Sequence, residues 1–164
     1  MNSKSSELNN MSLAPFVASP PNVIEKMLQM SELKPNEVLY DLGCGDARIV
    51  MMAAQQFGAK AVGVELDDGR FNDCTRKVKE NKLGNQIKII HASILDVSVK
   101  DADVVTLYLL TSANEKLKPM LERDLKSGAR VVSHDFSMPG WNPAQVEELR
   151  ETWGSHTIYL YKRP

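Results

Sequence analysis

Cysteine is scarce in this chain of 164 residues: only Cys44 and Cys74 occur, and their spacing is not that of metal ligands. A disulfide scaffold and a zinc finger are excluded, and the two thiols are expected to be free. Long apolar runs are missing too, since none approaches the ~20 residues that a membrane-spanning helix needs. The opening Met1-Asn2-Ser3-Lys4-Ser5-Ser6 is not followed by the apolar core of a secretory signal. A cytoplasmic protein with no membrane insertion is therefore expected. There is no excess of either charge, because 20 Lys+Arg face 21 Asp+Glu for a formal charge of −1. No global positive field draws the chain to nucleic acid, so stable nucleic-acid binding is not expected, although a local patch stays open. What the chain does have is a composition 43% hydrophobic and 25% charged, enough for a sizeable globular core. The length is about that of one domain. Residues 1–14 are polar and without periodicity, which predicts a flexible arm ahead of a single domain over 15–164.

After the arm, Ser19-Pro20-Pro21-Asn22 places a hydroxyl before a proline, which suits a helix N-cap followed by its first position. Val23, Ile24, Met27, Leu28 and Leu33 recur at helical spacing, and Lys34-Pro35-Asn36 ends the helix. From there β-rich runs alternate with amphipathic segments, the pattern of βα units that build a mostly parallel sheet. The predicted strands are Val38–Tyr40, Ala61–Val64, Ile87–Ile90, Val104–Tyr108 and Arg130–Val132. Between them lie the apolar segment 47–57, the Phe71, Cys74, Val78 series, and Leu117, Leu121 and Leu125 at every fourth residue. Val146–Leu149 and Thr157–Tyr161 flank a short Gly154-Ser155 turn and predict a terminal hairpin.

The first strand runs into Asp41-Leu42-Gly43-Cys44-Gly45-Asp46-Ala47-Arg48. Glycines at the carboxyl end of a first strand permit a tight turn and let a ligand approach backbone N–H groups. Glu65 closes the second strand about 20 residues further on, the offset at which an acid accepts hydrogen bonds from ribose hydroxyls. A dinucleotide fingerprint would need Gly or Ala where Arg48 stands, and no Gly-Lys-Ser/Thr of a phosphate loop is present. Asp41 is instead placed to meet an ammonium. S-adenosylmethionine has a ribose and an ammonium and carries no phosphate, which makes it the expected cofactor. The competing reading is a structural Asp-Leu-Gly turn with Glu65 at the solvent edge of the sheet.

Six blocks stand out: Pro15-Phe16-Val17, Ser19-Pro20, Tyr40-Asp41-Leu42-Gly43-Cys44-Gly45-Asp46, Ala61-Val62-Gly63-Val64-Glu65, Val105-Thr106-Leu107-Tyr108-Leu109-Leu110 and Arg130-Val131-Val132-Ser133-His134-Asp135-Phe136. Together they resemble the archaeal broad-specificity protein lysine methyltransferases and the mitochondrial enzymes that methylate lysine on the ATP synthase c subunit or the adenine nucleotide translocase. Asp-Leu-Gly-x-Gly is shared by a very large superfamily, whereas the Thr-Leu-Tyr-Leu-Leu and Ser-His-Asp-Phe blocks with Trp141-Asn142-Pro143 are more particular. The resemblance implies an α/β, Rossmann-like class I methyltransferase fold. Its seven-stranded, mostly parallel sheet would have an antiparallel C-terminal strand and helices on both faces. It places cofactor contacts at Asp41, Gly43, Gly45 and Glu65, with Phe16 and Ser19 folding over the cofactor; Cys44, Asp46, Leu66, Ser93 and Ile94 complete the candidate set. Two positions depart from the family pattern: Ala47 stands where Gly is common, and Ser93 where an acid often holds the adenine amine. Ser retains an acceptor for that amine.

Methyl transfer from a sulfonium needs no metal and no covalent intermediate, so positioning and control of the nucleophile's charge are the enzyme's tasks. No metal site is predicted. A lysine nucleophile with a pKa of ~10.4 costs roughly 4 to 5 kcal/mol to deprotonate at pH 7. An apolar or aromatic channel lowers that pKa, and a carboxylate raises it. The candidates for the chemistry are Tyr108, His134, Asp135 and Phe136, at the carboxyl ends of strands four and five. Asp135 would bind or orient the incoming ammonium, and Phe136 or Trp141 would wall the channel. Core packing competes as an explanation for Tyr108, and a structural role for His134. The Asn/Asp-Pro-Pro-Tyr pattern of adenine and glutamine methyltransferases is absent from Leu107-Tyr108-Leu109-Leu110. Arg76, Lys77, Lys79 and Lys82 spread around a helix that also carries Glu80, which reads as a solvated face. The leading expectation is a monomeric protein-lysine N-methyltransferase of broad protein specificity, releasing S-adenosylhomocysteine. A methyltransferase for a small molecule or RNA, and a cofactor-binding module that needs a partner, stay open beside it.

Overall fold

Apolar residues alternate between two sides along each central strand, and that alternation builds a sheet with a core on either face. The computed structural model describes residues 16–164, so the expectation for residues 1–14 lies outside the described residues. Helix α1 (Pro21–Met30) leads into β1 (Val38–Leu42), α2 (Arg48–Phe57), β2 (Lys60–Glu65), α3 (Asp68–Glu80) and β3 (Ile87–His91). A short 3-10 turn (Ile94–Asp96) precedes β4 (Val104–Leu107), α4 (Thr111–Asp124), β5 (Arg130–His134), β6 (Gln145–Glu151) and β7 (Gly154–Lys162). The sheet order is β3-β2-β1-β4-β5-β7-β6. β1 to β5 pair in parallel, and β7 pairs antiparallel with both β5 and β6. This is the expected seven-stranded Rossmann-like arrangement, with its reversal of direction at the C-terminal hairpin.

On one face Leu39, Val104, Val132, Ile158 and Leu160 pack under α1, α2 and α3. On the other, Tyr40, Leu42, Val105, Leu107, Val131 and Tyr161 pack with α4, whose Leu117 and Leu121 are fully buried. Each such leucine contributes about 1.5–3 kcal/mol through burial. β6 is an exposed edge strand, and its Glu147, Glu148, Arg150 and Glu151 discourage pairing with another chain.

Four local expectations shift. Ser19 does not cap α1: Pro20 occupies the N-cap without a side-chain bond and Pro21 begins the helix. The Ser19 hydroxyl is instead hydrogen-bonded to His134 Nδ1 at 2.8 Å, so a distant partner takes the group that local pattern had assigned to the helix. The helix also closes at Met30, ahead of Glu32 with φ 54°, and Leu33 enters the core from the following turn. β4 ends at Leu107, which leaves Tyr108 just beyond the strand, and the hairpin turns at Thr152-Trp153, one step before Gly154.

Candidate active site

β1 delivers Asp41 to the carboxyl end of the sheet, beside Thr106 of β4 in the ladder. Asp41 is only 3% exposed and accepts a hydrogen bond from Thr106 Oγ1 at 2.8 Å. Burial pushes its carboxyl up to about 7; the Thr106 bond lowers it, and the nearby Glu65 and Asp46 carboxylates raise it further. The chain then turns sharply. Gly43 (φ 85°) and Gly45 (φ 59°) adopt the left-handed region that glycine enters freely, and the Gly43 and Cys44 N–H groups donate to Val64 O at 2.9 Å. Ala47 also lies there, with φ 70°, at the N-cap of α2. A glycine relieves strain at that position, which explains why the family pattern has one.

Glu65, at the end of β2, organises the loop from beneath. Its Oε1 accepts from Gly45 N at 2.9 Å and Arg70 Nε at 3.3 Å, and its Oε2 accepts from Asp67 N at 3.0 Å. Glu65 is therefore buried and tied to the glycine loop rather than at a solvent edge. Asp46 and Arg48 form a bidentate pair, and Arg48 Nη1 donates to Ser19 O at 3.0 Å, which fastens the segment before α1 to the loop. A Cβ on Gly45 would lie 2.1 Å from Phe16 Cε2, so the absence of a side chain there lets the Phe16 ring rest on the loop. Arg70 stacks on the outer side of that ring, 5.2 Å from its centroid.

These groups line a cleft of about 760 Å³, counting its solvent-open part. Of the expected cofactor residues, Phe16, Ser19, Asp41, Gly43, Cys44, Asp46, Glu65, Leu66, Ser93 and Ile94 all line it, while Gly45 lies beneath Phe16. Ser93 caps the 3-10 turn by accepting from Leu95 N at 3.3 Å, which leaves one acceptor site on its hydroxyl. Both thiols are free and buried: Cys74 Sγ donates to Gly45 O at 2.9 Å, and Cys44 Sγ lies 3.8 Å from it. The hydrogen bond with Cys74, and after it burial, push the Cys44 thiol up and keep it protonated.

The four candidates for chemistry divide. Tyr108 lines the cleft; the His134 ring stacks on it with centroids 3.9 Å apart, and the Phe136 ring lies 6.3 Å from Tyr108, tilted by 29°. His134 is fully buried, and burial depresses its pKa to about 4, against the raising effect of Asp135. Burial, and secondarily Asp135, holds the Tyr108 phenol above its ordinary value. Asp135 sits in the left-handed region at φ 63°, pinned by a reciprocal pair: its N–H donates to Thr157 O at 2.7 Å and its Oδ1 accepts from Thr157 N at 2.9 Å. Trp141 does not line the cleft; it packs on Tyr161 and Arg163 and donates Nε1–H to Glu122.

Sequence reasoning passed over Thr106, Arg48 and Arg70. Thr106 stood inside a quoted block, and its place beside Asp41 follows once the two parallel strands are set in register. Lys77 departs from the solvated-face reading, because its Nζ donates to Asp46 O at 3.2 Å.

A sheet of this order, with a glycine loop and two buried acids at the carboxyl ends of β1 and β2, defines a Rossmann-like methyltransferase. Residues 41–145 match the ANTKMT methyltransferase domain, and the chain belongs to that family. A protein-lysine N-methyltransferase of Saccharolobus islandicus is 42% identical over 90% of this chain and 92% of its own. The mouse adenine nucleotide translocase lysine N-methyltransferase is 31% identical over 80% of this chain, which spans 57% of that longer protein. A solved structure from Salinibacter ruber, described as an RNA methyltransferase in complex with S-adenosyl-L-homocysteine, superposes with a TM-score of 0.86 at 37% identity, covering 90% of this chain and 94% of that one.

Proposed function

We propose that this chain transfers the methyl group of S-adenosylmethionine to lysine side-chain amines of protein substrates. The observation that carries the reading is the match to the Saccharolobus protein-lysine N-methyltransferase along nearly the whole of both chains. The cleft's donor set supports the cofactor. Asp41 would meet the ammonium of the methionine moiety, and Glu65 would accept from the ribose hydroxyls through lone pairs that the loop N–H groups leave over. Ser93, Ile94 and Leu66 would edge the adenine, while Phe16 and Ser19 cover the cofactor from the segment before α1.

The chemistry asks for alignment of a neutral amine with the sulfonium methyl. Tyr108, together with the His134 and Phe136 rings, supplies an aromatic wall on which a lysine cation can lie and against which it is desolvated. Asp135 would guide the ammonium from outside that wall. The lysine ammonium first gives its proton to solvent; the neutral nitrogen then bonds to the methyl carbon as the carbon–sulfur bond breaks, the bonding pair stays on sulfur as a neutral thioether, and the positive charge passes to the methylated nitrogen.

A second reading, methyl transfer to RNA, is favoured by one observation, the Salinibacter structure. One experiment separates them: purified protein is incubated with labelled S-adenosylmethionine and either an undigested protein extract or total RNA, and added methyl groups are mapped by mass spectrometry. Methyl-lysine at many exposed sites, lost in Asp41→Ala, is the expected result. Label confined to RNA overturns the protein-lysine reading.

A further inference from the structure

We propose that His134, Asp135 and His156 form a binding site for a divalent transition-metal ion of the Zn²⁺ or Co²⁺ kind. The three come together because β5 and β7 pair antiparallel with His134 opposite Ile158, which brings His156 diagonally across from His134 while Asp135 turns back at the strand end. His134 Nε2 lies 2.8 Å from His156 Nδ1 and 3.5 Å from Asp135 Oδ2, and the third side, His156 Nδ1 to Asp135 Oδ2, is 3.7 Å. A triangle with these sides has a centre about 2.0 Å from every corner, and Zn–N and Zn–O bonds are ~2.0–2.2 Å. An ion a fraction of an ångström out of that plane lies at bonding distance from all three atoms and takes the place of the proton that the two imidazoles now share.

The partners of the other ligand atoms point the same way. His134 Nδ1 is hydrogen-bonded to Ser19 Oγ at 2.8 Å, which directs Nε2 into the cluster. His156 Nε2 faces Glu151 Oε2 at 3.9 Å, and Asn22 Nδ2 holds the other Glu151 oxygen. Asp135 Oδ1 is spent on Thr157 N, so Oδ2 is the oxygen left for an ion. Metal-binding histidines are commonly oriented in this manner, with the distal nitrogen fixed by a hydroxyl, carbonyl or carboxylate. His134 is buried, whereas Asp135 and His156 keep 28% and 21% of their side chains exposed, so an ion enters from the solvent side. Three protein ligands leave a fourth position open for water. The ion would clamp the ends of β5 and β7 directly behind the Tyr108 ring. The site does not depend on the methyl-transfer reading, whose chemistry needs no metal; with the ion bound, Asp135 is a ligand and no longer guides an ammonium.

The test uses the untagged, chelator-treated full chain. Co²⁺ is titrated with visible absorption as the readout, and Zn²⁺ by calorimetry. Expected are the visible bands of a low-coordinate, nitrogen-ligated Co²⁺ centre, displacement by Zn²⁺ at one equivalent, and a Zn²⁺ dissociation constant in the micromolar range or below. His156→Ala should weaken Zn²⁺ at least 100-fold and Asp135→Asn at least 10-fold, each with the wild-type circular dichroism spectrum. No Co²⁺ bands and no heat with Zn²⁺ to 1 mM would leave a hydrogen-bonded histidine pair only and overturn the proposal. Unchanged affinity in His156→Ala would place the ion elsewhere and overturn it equally.

Discussion

Replacing Asp41 with asparagine should make the protein more stable while weakening its hold on the cofactor. Asp41 is buried and its carboxyl is pushed up to about 7, against an unfolded value near 3.8. Between those values the folded chain keeps the proton and the unfolded chain releases it, so stability falls as pH rises, by 1.36 kcal/mol per unit. Across the roughly 3 units from 3.8 to about 7 the accumulated penalty approaches about 4 kcal/mol, and it stays at that level above pH 7. Asparagine carries no such penalty, and its carbonyl can still accept the Thr106 hydroxyl that donates at 2.8 Å. The expected gain of Asp41→Asn is therefore about 2–3 kcal/mol larger at pH 8 than at pH 5. Urea unfolding at the two pH values, with tryptophan fluorescence and circular dichroism as coincident probes, measures it. A variant whose stability difference from wild type is the same at both pH values would mean that Asp41 is ionised throughout, and the burial argument would fail. The same carboxylate must be charged to meet an ammonium. Wild-type affinity for S-adenosylmethionine should then drop about tenfold per unit below pH 7, while the asparagine variant binds weakly with a flat profile.

Gly45→Ala should cost about 1–2 kcal/mol of stability from the positive φ alone. It should also weaken cofactor binding, because the new methyl overlaps the Phe16 ring and displaces it from the loop; wild-type affinity in a calorimetric titration would count against the packing described. Arg130 bridges β5 to the turn after α1: it donates to both Glu37 carboxylate oxygens and, through Nε, to Ser31 O at 2.8 Å. Arg130→Lys loses the two-pronged geometry and should lower stability by about 1–2 kcal/mol at pH 7. The Arg130 hydrogen bond depresses the Glu37 pKa, so this contribution is present above the unfolded carboxylate value and disappears as pH falls through the folded one. Equal stability of the two proteins at pH 7 would refute it.

The parallel strands were readable because each is a short run rich in β-branched and apolar residues, and the loop because its signal is local. Gly43, Gly45 and Asp41 fall within five residues, and Glu65 follows at a fixed offset set by one βα unit. Where Tyr108 would fall was harder to read. The run Val104 to Leu110 is apolar on both sides of the point where β4 stops, so composition carries no mark of the end. Ser19 shows how tertiary contact overrides a local rule: its hydroxyl finds His134 115 positions away instead of the helix start two residues on. His156 had no signal at all, since its meaning depends on a strand register that only the folded hairpin sets.

Residues 16–19 form one wall of the cleft and belong to no strand or helix. They are held by the Arg48 bond to Ser19 O, the Ser19 bond to His134 and the Phe16 ring on Gly45. None of these contacts is part of the sheet ladder, so parting the wall breaks no strand pairing. Access to the cleft and the integrity of the fold are therefore separate quantities in this molecule, and a substitution such as Arg48→Ala can change how fast a ligand enters and leaves without moving the melting temperature by much.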